Sequence, residues 1–271
     1  MSNLISSQTR YNTVEILLTE EITAPASVQL YGEYSSIFKE EGKWTQGIYK
    51  LPDGTTWTYN EPDAIIIVKR KSLQVRVEPL TRSHDTIQLL DNNKHVYLST
   101  GRFLTPEEST IGFELNMGAK ITGAKDDDLY NGFSSFNLHD LEAGFGFAFL
   151  TNGIEYSTVY FRQAPQGVVS RNPNFPRFFA IYDEHPLKTL EEGRHRFSIT
   201  YSKKDSKAEW FLDGESVNYQ DGIPDPISSF VMSIGIGTDI DLEPTGSRSI
   251  RGQGIIGEWS QIKITGLSSP Q

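Results

Sequence analysis

The stretch STIGFELNMGAKITG, Ser109 to Gly123, alternates without a break: Ile111, Phe113, Leu115, Met117, Ala119 and Ile121 fall on one face, Gly112, Glu114, Asn116, Gly118 and Lys120 on the other. Side chains two apart share a side only in extended chain, so the stretch predicts a long β-strand with one buried face. Working outward, FGFAFLTNGIEYSTVYF and AEWFLDGESVNY each hold two alternating runs around Asn152-Gly153 and Asp213-Gly214. Both pairs suit the positive φ angles of a type I′ hairpin turn. Further strands are expected at Ala64–Arg70, Leu73–Glu78, Val96–Phe103, Gly132–Leu138, Arg177–Tyr182, His195–Tyr201, Phe230–Gly237 and Gly254–Thr265, with Gly, Pro, Asp and Asn clusters between them. Roughly a dozen strands with almost no amphipathic helix predict an all-β fold, a two-sheet antiparallel sandwich. No repeat or low-complexity linker divides the 271 residues, so residues 1–271 are read as one domain. Residues 1–30 form an N-terminal extension or edge segment in this reading, because NTVEILLTEEI fits neither the strand nor the helix period well.

Composition narrows the chemistry. The absence of cysteine closes thiolate catalysis, disulfides and cysteine–zinc sites. A net charge of −10 repels phosphate backbones and anionic lipid, so neither nucleic acid nor membrane is expected as a partner. No apolar run approaches membrane-spanning length and Leu4-Ile5 is too short for a signal-peptide core, which makes the cytoplasm the expected location.

HRFSITYSKKDSKAEWFLDGESV, His195 to Val217, resembles the strand, turn and Trp-bearing strand that lead into an Asp-Gly hairpin in concanavalin A-like lectin and glucanase sandwiches. IRGQGIIGEWSQIKITG, Ile250 to Gly266, looks like the last strand of such a jelly roll. LPDGTTWTYNEP, PLTRSHDTIQLLDNNKHVYLSTGRF, DDDLYNGFSSFNLHDLEAG and RGQGIIGEW together are similar to an uncharacterised, largely bacterial family of that superfamily, over roughly Gly47 to Gly266. The resemblance implies a concanavalin A-like jelly roll and carries no catalytic residues with it. Family 16 glucanases of this architecture place Glu-x-Asp-x-x-Glu on a concave strand. The nearest match is TDIDLEP, with Asp239, Asp241 and Glu243; it begins with Asp, is short in spacing, and follows the Trp-bearing hairpin instead of preceding it.

Two polar concentrations are candidate sites. In PLTRSHDTIQLLDNNKH, Asp91, Asn92 and Asn93 are ordinary turn formers, read as connecting a strand at Thr86–Leu90 to the next. Arg82, His84 and Asp85 are harder to assign to a turn: a His beside a carboxylate suits a general base, and Arg82 suits an oxyanion partner. The alternative is a structural ion-pair corner. In NLHDLEAGFGF, Asp140 and Glu142 would share one strand face and His139 the other, so paired acids are available for proton transfer, or else a solvated turn. Tyr156, Tyr160 and Arg162 are expected on a neighbouring ligand-lining wall, with Trp57 and Trp210 as further aromatic contacts. No catalytic metal ligand set and no cofactor motif occurs, although Asp126, Asp127 and Asp128 leave a structural calcium ion open. The resulting expectation is a cofactor-independent isomerase, cyclase or lyase acting on a small organic substrate by acid–base or shape-templated closure. The rivals are a carbohydrate-binding lectin-like module and a glycosidase or polysaccharide lyase with non-standard acids. Pocket shape separates them, because a closed apolar cavity suits the first and an open groove across a sheet the others.

Overall fold

The computed structural model describes residues 20–25, 28–31, 34–37, 42–51, 53–69, 71–124, 128–164, 168, 170–188 and 194–267. The opening stretch becomes strand Thr110–Thr122, and it organises one sheet. It pairs with His195–Ser202 on one side and with Gly254–Ser260 and Ile262–Leu267 on the other. Lys207–Leu212 and Glu215–Gln220 extend the sheet in one direction, Ser72–Val77 and Ile65–Lys69 in the other. The face predicted to be buried is buried over its first four positions, Ile111, Phe113, Leu115 and Met117 being at most 2% exposed, and is half-buried at Ala119 and Ile121.

The opposing sheet runs Glu20–Thr23, Gly101–Leu104, Ser229–Gly237, Phe133–His139, Phe145–Thr151, Glu155–Gln163 and Phe178–Pro186. Asn93–Ser99 also lies along Ser229–Gly237 and carries Trp44–Gln46 on its far edge. Pairing is antiparallel except where Glu20–Thr23 runs parallel to Gly101–Leu104. The fold is a two-sheet, antiparallel β-sandwich. Alternation sends Phe136, Leu138, Phe145, Phe147, Phe149, Met232, Ile234 and Ile236 into one core with Phe113, Phe197, Trp210 and Trp259. Phe147 sits at its centre, with ring contacts of 5.7–6.1 Å to Trp210, Phe230, Tyr160 and Tyr201.

Asp213 and Gly214 take φ of 54° and 94°, as the predicted type I′ hairpin requires. The other hairpin differs. Only Gly153 is left-handed (φ 96°), and Asn152 instead accepts bonds from the Ile154 and Glu155 amides, so the turn centres on Gly153-Ile154. An Asx side chain has replaced one backbone link of the expected turn. Thr86–Leu90 also departs from expectation: Gln88–Asn92 is a short helix, and the next strand starts at Asn93. Of the N-terminal segment, residues 1–19 lie outside the described residues, and Glu20–Thr23 is an edge strand.

Candidate functional site

The first residues to place are those that alternation turns away from the core on the sheet containing Phe145–Thr151. Pairing registers align Leu98, Ser233, Asn137, Ala148, Val159 and Tyr182 in one row across this outer face. The next row is Val96, Gly235, Ser135, Leu150, Ser157 and Glu184. Small and hydroxyl residues at Ser233, Ala148, Gly235, Ser135 and Ser157 alternate there with apolar ones at Leu98, Val159, Val96 and Leu150. Asn137 donates to Ser135 and Ser233 (3.1 and 2.9 Å), and the Ser233 hydroxyl lies 2.8 Å from His139 Nε2. Asn137 donates to Ser233, and the Ser233 hydroxyl retains both a donor and a second acceptor position toward the imidazole. Burial pushes the His139 pKa down to about 4.

The connection before Phe133 crosses this face: Leu129 packs on Phe133, Ala148, Leu150 and Val159. Beside it stand two tyrosines, Tyr130 and Tyr182, 50% and 42% exposed, and Asp239, which follows strand Ser229–Gly237. The Asp239 amide donates to the Tyr130 carbonyl (3.1 Å), and its carboxylate accepts from Asn92 Nδ2 (3.1 Å) and from the Tyr182 hydroxyl. Burial lifts the Asp239 carboxyl to about 6; the Tyr182 bond opposes this, and Asp241 and Glu184 reinforce it. The Tyr130 hydroxyl is raised chiefly by Glu184, then by burial, Asp239, Asp128 and Asp241, so four carboxylates surround it. Adjoining is an open cavity of about 270 Å³ lined by Asp128, Tyr130, Asp239, Asp241, Arg248 and Arg251, among others. Arg248 is paired with Glu243 at 3.0 Å, and Arg251 donates to the Arg248 carbonyl.

The crowded stretch from the sequence is the scaffold of this cavity. Gln88 donates to the Ile240 carbonyl and accepts from the Leu242 amide (2.6 and 2.7 Å), gripping the Asp239–Asp241 segment. Asp85 accepts the Ser247 amide (3.0 Å). Asp91, fully buried, accepts from the His84 amide and the Ser247 and Ser249 hydroxyls, and Lys94 lies 3.5 Å away. His84 Nδ1 accepts the Thr86 and Ile87 amides (3.2 and 3.1 Å), and its ring meets the edge of Trp57. Arg82 lies 4.0 Å above the Trp57 ring and bonds the Asn60 carbonyl. Arg82, His84 and Asp85 line neither this cavity nor the crevice beside it.

The remaining candidates are dispersed. His139 reaches the outer face as described, but Asp140 caps its own turn by accepting the Glu142 and Ala143 amides, and Glu142 pairs with Arg102. The expectation of paired acids in a groove is corrected: the two belong to a turn. Tyr156, Tyr160 and Trp210 lie in the core, and Arg162 is fully buried on the same inner side, so they form no ligand wall. Strand parity decided that, since Phe147 and Tyr160 face the same way. Asp126 and Asp127 lie outside the described residues, and among the described residues no acidic or His cluster is arranged to hold a metal ion. No outward position of Phe145–Thr151 carries an acid, for these are Gly146, Ala148 and Leu150. Asp239 and Asp241, whose order and spacing do not fit the glucanase motif, line the cavity together with Asp128. The available signal was two acids directly after a fully buried strand.

Residues 31–268 match a family described as a family of unknown function, DUF6081. The chain belongs to that family. No curated protein matches it in sequence. Among solved structures it is similar to the apo Crh5 transglycosylase (13% identity, TM-score 0.52, covering 97% of this chain and 90% of that one). It is also similar to a LamA variant from Z. galactanivorans in complex with laminaritriose and laminaritetraose (12%, 0.53, 83% and 92%). A third is the endo-β-1,3-glucanase from Pyrococcus furiosus (10%, 0.50, 92% and 98%). At these identities the likeness shows a shared fold, a two-sheet jelly roll.

Proposed function

We propose that the protein is carbohydrate-active: a glycan lies on the outer face beside Tyr130 and Tyr182, and Asp239 protonates a glycosidic oxygen. The observation that carries this reading is Asp239, a carboxyl raised to about 6 between two half-exposed tyrosines, with the exposed acids Asp241 and Glu184 near it. Glycoside cleavage needs one protonated acid for the leaving oxygen and one carboxylate as base or nucleophile, and environments that separate two carboxyl pKa values provide both. Tyrosine faces stack on sugar rings, while the charged side chains of the adjoining open cavity offer hydrogen-bond partners for sugar hydroxyls. Among its fold neighbours, a LamA variant in complex with laminaritriose and laminaritetraose and an endo-β-1,3-glucanase support the substrate class. An isomerase, cyclase or lyase for a small organic molecule draws no support from a cavity that is open and lined by charges.

The test measures glycan binding and turnover on β-glucan, chitin and xylan oligosaccharides with the native protein and with Asp239→Asn. Binding by both, with turnover falling about a hundredfold or more in the variant, is expected, the usual scale for a lost general acid. Binding with no turnover by either protein makes it a lectin-like module. No binding to any glycan overturns the reading.

A further inference from the structure

Arg162, singled out in the sequence but absent from the outer face, organises one end of the sandwich. Its guanidinium lies 4.9 Å from the Phe145 ring centre and 5.7 Å from that of Phe175. Nε donates to the Ala143 carbonyl (3.1 Å) and Nη1 to the Pro176 carbonyl (3.0 Å). Asp225 approaches from a third connection, with Oδ1 accepting the Arg171 amide at 2.7 Å. One guanidinium therefore faces three separate connections, and two of them are bonded to it directly.

The third link is incomplete. Arg162 Nη2 and Asp225 Oδ2 stand 3.9 Å apart, too far for a direct hydrogen bond. Among the described residues neither atom has a hydrogen-bond partner, and the Tyr160 hydroxyl has none either. The three residues are 0%, 7% and 6% exposed, so bulk solvent does not satisfy them. Tyr160 stands two positions before Arg162 on the same inner strand face, and its ring stacks at 6.1 Å on Phe145, the ring against which the guanidinium also lies. Burying three such atoms without partners is costly, and native interiors seldom do so. The ion pair is already neutral overall, so a charged ligand has no electrostatic reason to enter.

We propose that Arg162 Nη2, Asp225 Oδ2 and Tyr160 Oη form a binding site for one ordered internal water molecule. It accepts from the guanidinium and the tyrosine hydroxyl, and donates to the carboxylate. Three bonds are the usual complement of a buried water. Through it the connection around Asp225 is tied to those around Ala143 and Pro176, and the link is independent of the glycan reading.

A crystal structure at high resolution tests the site together with Tyr160→Phe. The expected result is a water peak within about 2.6–3.2 Å of all three atoms. Tyr160→Phe, which removes only the hydroxyl, then lowers the melting temperature by about 2 °C. Direct Arg162–Asp225 contact with no peak overturns the proposal. So does a Tyr160→Phe protein that melts at or above the native temperature, because deleting an unbonded buried hydroxyl costs nothing.

Discussion

Asp239 and Asp140 both carry carboxyls lifted to about 6, chiefly by burial, yet they bear on different measurements. In the role proposed for Asp239 the protonated form is the working acid, so glycan turnover is expected to fall as pH rises through about 6. A turnover profile flat from pH 5 to 8 would contradict this role. For Asp140 the consequence is stability. Its folded pKa lies above the ordinary carboxyl value of 3.8, so its contribution is fully present below that value and is lost as pH rises through about 6. His95 and His139, both pushed down to about 4 by burial, act in the opposite sense: their contribution is lost as pH falls from 6.5 toward 4. Since the windows overlap, the comparison needs a variant. Asp140→Asn is expected to remove a fall in urea-unfolding free energy between pH 4 and 6, and an unchanged pH slope would refute the assignment. At this scale the sequence was only partly readable. Arg82, His84 and Asp85 stood out as unusual, but the partner that gives Asp85 its role, Ser247, is 162 residues away. No local pattern encodes such a bond.

Among elements, the strands with strict alternation were legible, and those on which both faces are covered were not fully so. Ser109–Gly123 announced its buried face because Glu114, Asn116 and Lys120 mark the other. In Phe145–Thr151 every residue is buried, so the sequence does not say which side faces the core, and the tyrosines of the next strand were assigned to the wrong side as a result. The outward glycine there has a specific role. A Cβ on Gly146 would lie 2.0 Å from the Phe161 ring, which covers this position and meets the ring of His139 at 5.7 Å. Gly146→Ala is therefore expected to displace Phe161 and destabilise the protein by about 1–3 kcal/mol, the range for overpacking. Chemical denaturation measures it, and a variant as stable as the native protein would show that Phe161 swings away freely.

Across the whole molecule, the two sheets share one core, while the cavity is held by a polar lock that spans distant parts of the chain. Lys94 is 1% exposed and donates to the Arg82 carbonyl (2.8 Å) and to Ser249 Oγ (2.6 Å), while Asp91 collects Ser247, Ser249 and the His84 amide. Burial lowers the Lys94 pKa, and Asp91 and then Glu61 counter it. Ser247 and Ser249 flank Arg248, so the lock fixes one wall of the cavity to the start of strand Asn93–Ser99. Lys94→Met removes the cation while leaving the Asp91 charge buried, and breaking such a pair from one side costs about 3–5 kcal/mol. Unfolding free energy is expected to drop by that amount. Glycan affinity should fall in the fraction that remains folded, because the Ser247–Ser249 segment loses its anchor. If Lys94→Met instead lies within about 1 kcal/mol of the native protein, the hydroxyl and amide bonds to Asp91 alone hold the wall.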